Sequence, residues 1–579
     1  MSKIQQLLTE HIDIWTSAET EKKSGRGRAS GSAGKVYGIQ KLRSLILELA
    51  VRGKLVSHDA NDEPASELLK RIQAENAKLI AEGKLKKEKP LRLISEDEKS
   101  FDIPNNWVYA RVNDTGQYIN GLAFKPNEWG NVGRPIIRIQ NLSGRSQDFN
   151  RTEKKVDDSV IVRTGDILVS WSATLDVFIW NLNEDGVLNQ HIFRVIPEKL
   201  ISKNYLCWLL KAAIREMEDS VHAHGLVMTH INRGPFLSHV IGLPPLPEQH
   251  RIVAKVDELM ALCDQLEAQH SNAAEAHEKL VSHLLDTLTQ SQSADDFSAN
   301  WQRIAAHFDT LFTTETSIDE LKQTLLQLAV MGKLVPQDTN DEPASKLLKR
   351  IQAEKAKLVA EGKIKKDKPL AAIADDEKLF ELPQGWEWVR LNNVIDVRDG
   401  THDSPKEALG EKTYPLVTSK DFQDGAINFY SARRISEADH LEISKRSLVE
   451  KFDILFSMIG GNIGNQVMVT EDRPFSVKNV ALFKYYNKEL TVPVFIKKYT
   501  ENLAFTLQST AVGGAQPFVA LGALRNLVLA LPPLAEQHRI VAKVDALMAI
   551  CDQLKTRITE ANQQQQKLAD VLVAQAVTG

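Results

Sequence analysis

One stretch occurs twice in this chain, and it constrains the fold more than anything else does. From Leu243 it reads LPPLPEQHRIVAKVDELMALCDQL, ending at Leu266. From Leu531, 288 residues later and with no gap, it reads LPPLAEQHRIVAKVDALMAICDQL, ending at Leu554. A chain that repeats on this scale uses one structural plan twice. Two prolines cannot sit inside a helix, so Pro244-Pro245 and Pro532-Pro533 predict a rigid, extended entry. A helix is expected just after them, with Glu248 and Glu536 near its positive end. Apolar residues then follow a four-three rhythm: Ile252, Val256, Leu259, Cys263 and Leu266, continued by His270, Ala273, His277, Leu280 and Leu284. The second copy gives Ile540, Val544, Leu547, Cys551, Leu554, Ile558, Ala561, Gln565, Leu568 and Leu572. A seam at seven-residue spacing predicts a coiled coil. Each helix would run roughly 40 residues, about 60 Å at 1.5 Å per residue. Two copies in one chain suggest partners for each other; two separate amphipathic helices on domain surfaces are the alternative.

A second repeat precedes each of these. IQKLRSLILELAVRGKLV (Ile39–Val56) matches IDELKQTLLQLAVMGKLV (Ile318–Val335), and Asn61–Leu91 matches Asn340–Leu370, both at an offset of 279. Each NDEP reads as a helix start, with Asn or Asp as cap, carboxylates in the first turn and proline early. Gly83 and Gly362 read as stops. The basic runs Lys84–Lys89 and Lys363–Lys368 read as solvated charge after a helix rather than as DNA contacts. Trp107 and Trp386 open the following segments as core anchors.

These marks divide the chain. An N-terminal arm with a Gly/Ser/Arg linker covers 1–35, and a repeated helical region 36–103. A first head occupies 104–242, the central long helix 243–290, and a connector with the second helical region 291–382. A second head occupies 383–530 and the last long helix 531–579. The heads carry short β-branched and aromatic runs, such as Gly165–Ala173, His191–Ile196, Phe452–Gly461 and Val480–Tyr486, which predict strands. Helical patterns follow at Ser202–Glu218 and Val492–Phe505. The expected class is α+β: two mixed α/β heads joined by two long antiparallel coiled-coil helices, with a pseudo-twofold internal repeat. Near-identical frames thus hold divergent heads, the pattern of a two-headed reader.

Composition sets outer bounds. A chain of 579 residues is too long for one core. No apolar run approaches the roughly 18 residues of a membrane span, and MSKIQQLLTEHIDIW lacks the features of a signal peptide. Three cysteines make no disulfide framework, and Cys263 and Cys551 read as small hydrophobes on the seam. A reducing cytoplasm is the expected compartment. The net charge of −4 argues against a coat of positive charge but not against a local basic cleft. The segment ending Gly34-Lys35 fails as a phosphate loop, because Ala29 replaces its first glycine and Val36 its Ser/Thr.

The repeated LPPLPEQHRIVAKVD and LPPLAEQHRIVAKVD, with the plan of head, long helix, head, long helix, resemble the specificity subunits of type I restriction–modification enzymes. The likeness covers roughly 36–579. It implies a non-catalytic chain with two target-recognition domains, each reading half of a split DNA sequence. It further implies two modification subunits that use S-adenosylmethionine to methylate adenine, and restriction subunits that complete the complex. S-adenosylmethionine, ATP and Mg2+ then belong to the partner subunits, with no cofactor in this chain. The residues agree with a non-catalytic role. An Asp/Asn-Pro-Pro-aromatic motif is missing, since both proline pairs are flanked by leucines. No Cys/His cluster has zinc-ligand spacing, and His222, His224 and His230 have no matching cysteines. A coiled-coil scaffold whose two heads bind proteins is the alternative function.

Sequence is read at base edges, by Arg on guanine and by Asn or Gln on adenine, whereas phosphate contacts set register. The first head offers Lys125, Asn131, Arg134, Arg138, Gln140, Asn141 and Arg145 as its best basic patch. Trp171, Ser172 and Thr174 follow a strand, and His230, Asn232 and Arg233 lie in a later loop. The second head offers Arg398, Thr401, His402, Ser404 and Lys406, then Ser419 and Lys420, then Asn462, and Gln516 in AVGGAQPF. That last loop looks like the family's late DNA-facing loop, which the first head lacks in that form. Gly460 and Gly461 read as a tight turn.

Overall fold

The computed structural model describes residues 10–18, 36–83, 91–222, 231–509 and 518–578. The chain divides into two compact units, Met1–Glu275 with Glu560–Gly579, and Ala276–Thr559. The long helices run Leu246–Thr289, 44 residues, and Leu534–Thr578, 45 residues. Each begins directly after its proline pair, where the missing amide donor ceases to matter. Each unit therefore contains the start of one long helix and the end of the other.

In the first unit, one core takes Ile252, Val256, Leu259, Cys263 and Leu266 from the first long helix and Ala569, Leu572, Val573 and Ala576 from the end of the second. In the second unit, a core takes Val281, Leu285 and Leu288 from the end of the first and Leu547, Cys551, Leu554 and Ile558 from the second. A start shares a core with an end in both, the order of an antiparallel pair. The expected seam holds through Leu266 and Ile558 and then shifts. Leu280 is 50% and Leu568 48% exposed, while the buried positions are Val281 and Ala569. These lie 18 residues beyond the buried Cys263 and Cys551. Eighteen residues are five turns at 3.6 per turn, so the buried positions recur at the α-helical period rather than at a strict heptad spacing.

The frame helices Tyr37–Val51 and Ala65–Ala81 recur as Glu315–Val330 and Ala344–Ala360. Gly83 and Gly362 stop the second helix of each pair at a φ of 70°, which a side chain would strain. NDEP does not cap as expected. Its proline occupies the capping position, with no side-chain cap. Lys54 Nζ donates to Val577 O at 2.7 Å, at the end of the second long helix. Lys333 Nζ donates likewise to Thr289 O and Ser291 O at the end of the first. A cation is favourable at a helix C-terminus, where carbonyls lack partners.

The N-terminal arm joins the repeat. In the first unit the helix Ile12–Ser17 buries Trp15 completely in the core. Trp15 N donates to His11 O at 3.2 Å, as Leu311 N does to His307 O at 3.0 Å in the second. HIDIWTSA (from His11) matches HFDTLFTT (from His307), at an offset larger than 279 by the 17 residues 19–35. Those residues and Lys84–Lys89 lie outside the described residues. Gly38 is required here, because a Cβ would stand 2.4 Å from Trp15 O.

Each head is closed by pairing its first and last strands. Val108–Arg111 pairs antiparallel with Val240–Leu243, and Glu387–Arg390 with Val528–Leu531. Within the first head, Gly116–Asn120, Ile192–Pro197, Ile167–Ser170 and Asp176–Ile179 form one antiparallel sheet. In a second sheet, Arg134–Ile137 runs parallel to Gly186–Leu188. The other head repeats this with Ile395–Asp399, Val480–Tyr485, Ile454–Ser457 and Gln466–Met468, and with Thr413–Val417 parallel to Ser476–Val477.

Candidate functional site

The repeated motifs are joined to each other. Glu248 is fully buried at the start of its helix. It accepts from Trp107 Nε1 at 3.0 Å, His58 Nδ1 at 2.8 Å and Asn106 Nδ2 at 3.3 Å. Glu536 accepts from Trp386 Nε1 at 3.0 Å and Gln337 Nε2 at 3.2 Å, and burial pushes its carboxyl up. The Asp of each NDEP binds the Arg of each EQHR: Arg251 to Asp62 at 2.6 Å, Arg539 to Asp341 at 2.7 Å. Gln249 and Gln537 accept from Ser202 N and Val492 N, where the last long helix of each head begins. Trp107 and Trp386 are thus core anchors with a polar function as well, since each indole fixes a buried carboxylate.

In each head, four strand ends converge on one pole. In the first, the strands ending at Asn120, Ile137, Ser170 and Leu188 bring Gly121, Arg138, Trp171 and the Asn189–His191 turn together. Gly121 N donates to Ile192 O, Leu122 N to Leu188 O, Asn189 N to Ile137 O, and Trp171 N to His191 O. Ile231 N donates to Trp171 O, so the chain returns here just before Asn232 and Arg233. In the second head, Gly400 N donates to Val480 O, Thr401 N to Val477 O, Lys478 N to Val417 O, and Val519 N to Met458 O. The pattern is the same. Both poles need glycine: a Cβ on Gly121 would stand 2.0 Å from Asn189 O, and one on Gly400 2.8 Å from Val477 O.

The side chains at the poles differ. At the first, the Arg138 guanidinium lies over the Trp129 ring at 5.6 Å, with Nε buried and unpartnered among the described residues. Trp171 packs 5.2 Å from the His191 ring; Trp171 Nε1, His191 Nδ1 and Thr174 Oγ1 are also buried and unpartnered there. Ser172 is half-buried beside them. Lys125, Asn131, Arg134, Gln140, Arg145, Asn232 and Arg233 are exposed; Arg134 begins the strand whose other end, Ile137, reaches the pole, and Gln140 and Arg233 lie on short helices. Asn141 is different: its amide donates to Ser146 O and Asp148 O and accepts from Arg138 N, so it holds its own loop. The strand Arg134–Ile137 gives way at once to the short helix Ile139–Leu142.

At the second pole, Arg398 Nε donates to Asp396 at 2.7 Å. Thr401 is buried and accepts from Asp403 N, and Ser404 accepts from Lys478 Nζ. His402 bonds Asp399 Oδ2 through Nε2 at 2.8 Å and Asn479 Oδ1 through Nδ1 at 3.1 Å. The Asn479 and Asp399 acceptors raise its pKa above the usual histidine value. Lys406 and Lys420 are exposed, and Ser419 and Asn462 half-exposed. Gly460 takes a φ of 74° in the turn expected there. His230 and Gln516 lie outside the described residues. Sequence reasoning missed Gln190, His191, Lys478 and Asn479; aligning the two heads strand by strand would have exposed these turns.

The model of the family described as "Type I restriction modification DNA specificity domain" matches residues 104–276 and 383–563. The type I restriction enzyme EcoAI specificity subunit of Escherichia coli is 38% identical, over 99% of this chain and 100% of its own. The EcoEI specificity subunit of Escherichia coli is also 38% identical, with the same two coverages. A chain in a solved structure of complex assembly and conformational transition of the type I R-M system is 17% identical. It aligns over 82% of this chain and 99% of its own, with a TM-score of 0.46. This chain belongs to the type I restriction–modification specificity family: it is a non-catalytic subunit that determines which DNA target is recognised. That displaces the scaffold with protein-binding heads. No helix among the described residues is long and apolar enough to cross a membrane.

Proposed function

We propose that each head reads one half of a bipartite DNA target through its pole, and that the repeated frame seats two modification subunits, one per copy. The observation that carries this is the pairing of a shared strand plan, with four matching backbone bonds at the pole, with different side chains. Trp171 stands where the second head has Met458, and Asn189–His191 where it has Lys478-Asn479. One scaffold with two readouts is what two unrelated half-sites demand. The exposed Lys and Arg of the first head supply phosphate attraction that weakens with salt. The partner subunits hold S-adenosylmethionine and methylate adenine. Restriction subunits using ATP and Mg2+ join the same complex, which works in the cytoplasm.

The test is to map methylated adenines in DNA exposed to the assembled complex. The expected target is two short blocks separated by a gap of fixed length and free sequence. Exchanging residues 104–242 for a relative's head should change one block only. A change in both blocks would show that the heads are coupled. Native mass should give one specificity chain with two modification subunits, and a one-to-one complex as the only active form contradicts this.

A further inference from the structure

At both poles an amide side chain is hydrogen-bonded to a histidine ring, at the same point of the fold. In the first head, Gln190 follows the strand Gly186–Leu188 and precedes Ile192–Pro197. Its Nε2 lies 3.0 Å from His191 Nε2. An amide nitrogen only donates, so the ring nitrogen accepts and the imidazole proton sits on Nδ1. In the second head, Asn479 stands between Ser476–Val477 and Val480–Tyr485 at a φ of 56°, the left-handed region that asparagine tolerates. Its Oδ1 accepts from His402, whose other nitrogen is held by Asp399. The histidines come from different places in the chain, one adjacent in sequence and one from the loop after Ile395–Asp399. The pairing of an amide with a histidine ring is shared, although Gln190 donates to its ring and Asn479 accepts from its own.

Each bond fixes which way its amide faces. Gln190 keeps Oε1 and one N–H, and Asn479 keeps one Oδ1 lone pair and both N–H bonds, without a protein partner among the described residues. An acceptor beside a donor in one plane matches the adenine major-groove edge, N6–H donating and N7 accepting. Guanine offers two acceptors there and fits only half of such a group. Resting on the two-headed reading above, we propose that Gln190 and Asn479 are equivalent specificity residues, each reading one adenine, with His191 and His402 as the residues that position them.

The test is methylation mapping with the full chain assembled with its modification subunits. Gln190→Ala should make one A·T position of one half-site tolerant of other pairs and leave the other half-site unchanged. Asn479→Asp, which keeps a residue suited to the left-handed backbone, should do so in the other half-site. Discrimination at the affected position is expected to fall about ten- to a hundredfold. His402→Ala should relax the same position as Asn479→Asp; a merely structural histidine would lower methylation of all targets alike. A wild-type complex with a sharp bipartite target whose pattern survives Gln190→Ala and Asn479→Asp overturns the assignment alone. Equal loss on every sequence overturns it too, marking phosphate or structural contacts. A wild-type complex that methylates without sequence preference overturns the two-headed reading and this assignment with it.

Discussion

A carboxylate taken out of water needs donors, and the two copies of the frame supply them unequally. Glu248 has three, from Trp107, His58 and Asn106; Glu536 has two, from Trp386 and Gln337. Removing the indole donor should therefore cost more in the second copy. Trp386→Phe is expected to lose about 1–3 kcal/mol of stability, and Trp107→Phe less, read by denaturant unfolding. Equal losses would mean that ring packing, not the donor, dominates. A second pair sets acid behaviour. Arg390, helped by the Ala374 amide, holds Glu377 down at about 2, and the Ser95 amide and hydroxyl with Arg111 hold Glu98 at about 2. A depressed acid adds stability that is full above its unfolded value near 4.5 and is lost as pH falls towards 2. Glu377→Gln should flatten the dependence of stability on pH between about 4.5 and 2, checked by circular dichroism. An unchanged slope would place the acid response elsewhere.

At the scale of elements, the N-terminal helix shows how far a linear reading reaches. Trp15 is fully buried against Gly38, so this arm is part of the first unit's core rather than a tether. Trp15→Ala should destabilise that unit by about 3–5 kcal/mol, the usual result of a large cavity in a core; protease resistance of the first unit equal to wild type would contradict this. The arm was hidden because residues 19–35 separate it from the helix it repeats with, breaking the offset that marks the rest. The frame was legible because its motifs bind one another: EQHR and NDEP recur together since Arg251 and Arg539 need Asp62 and Asp341. Strand identity in the heads was legible from β-branched runs. The poles were not, because each is built from four strand ends far apart in sequence. Asn141 shows the limit of residue type alone, since its amide serves its own loop.

At the scale of the molecule, each long helix begins in one unit and ends in the other. Their exposed middles, around Ala273 and Ala561, lie next to the points where the chain passes between units. Lengthening both helices there leaves both buried ends intact, including the caps from Lys54 and Lys333. Seven residues add about 10 Å at 1.5 Å per residue and turn a straight helix by only about 20°, whereas three or four residues would rotate the apolar faces away from their cores. On DNA, at 3.4 Å per base pair, 10 Å is about three base pairs. A heptad inserted near Ala273, opposite another near Ala561, should therefore preserve both half-sites and lengthen the gap between them by about three base pairs. DNA twist carries the second half-site round the duplex by about a third of a turn, so binding should weaken as the spacer grows. Mapping methylated adenines decides it: an active, fully assembled complex that keeps the original gap would show that the helices do not set the distance.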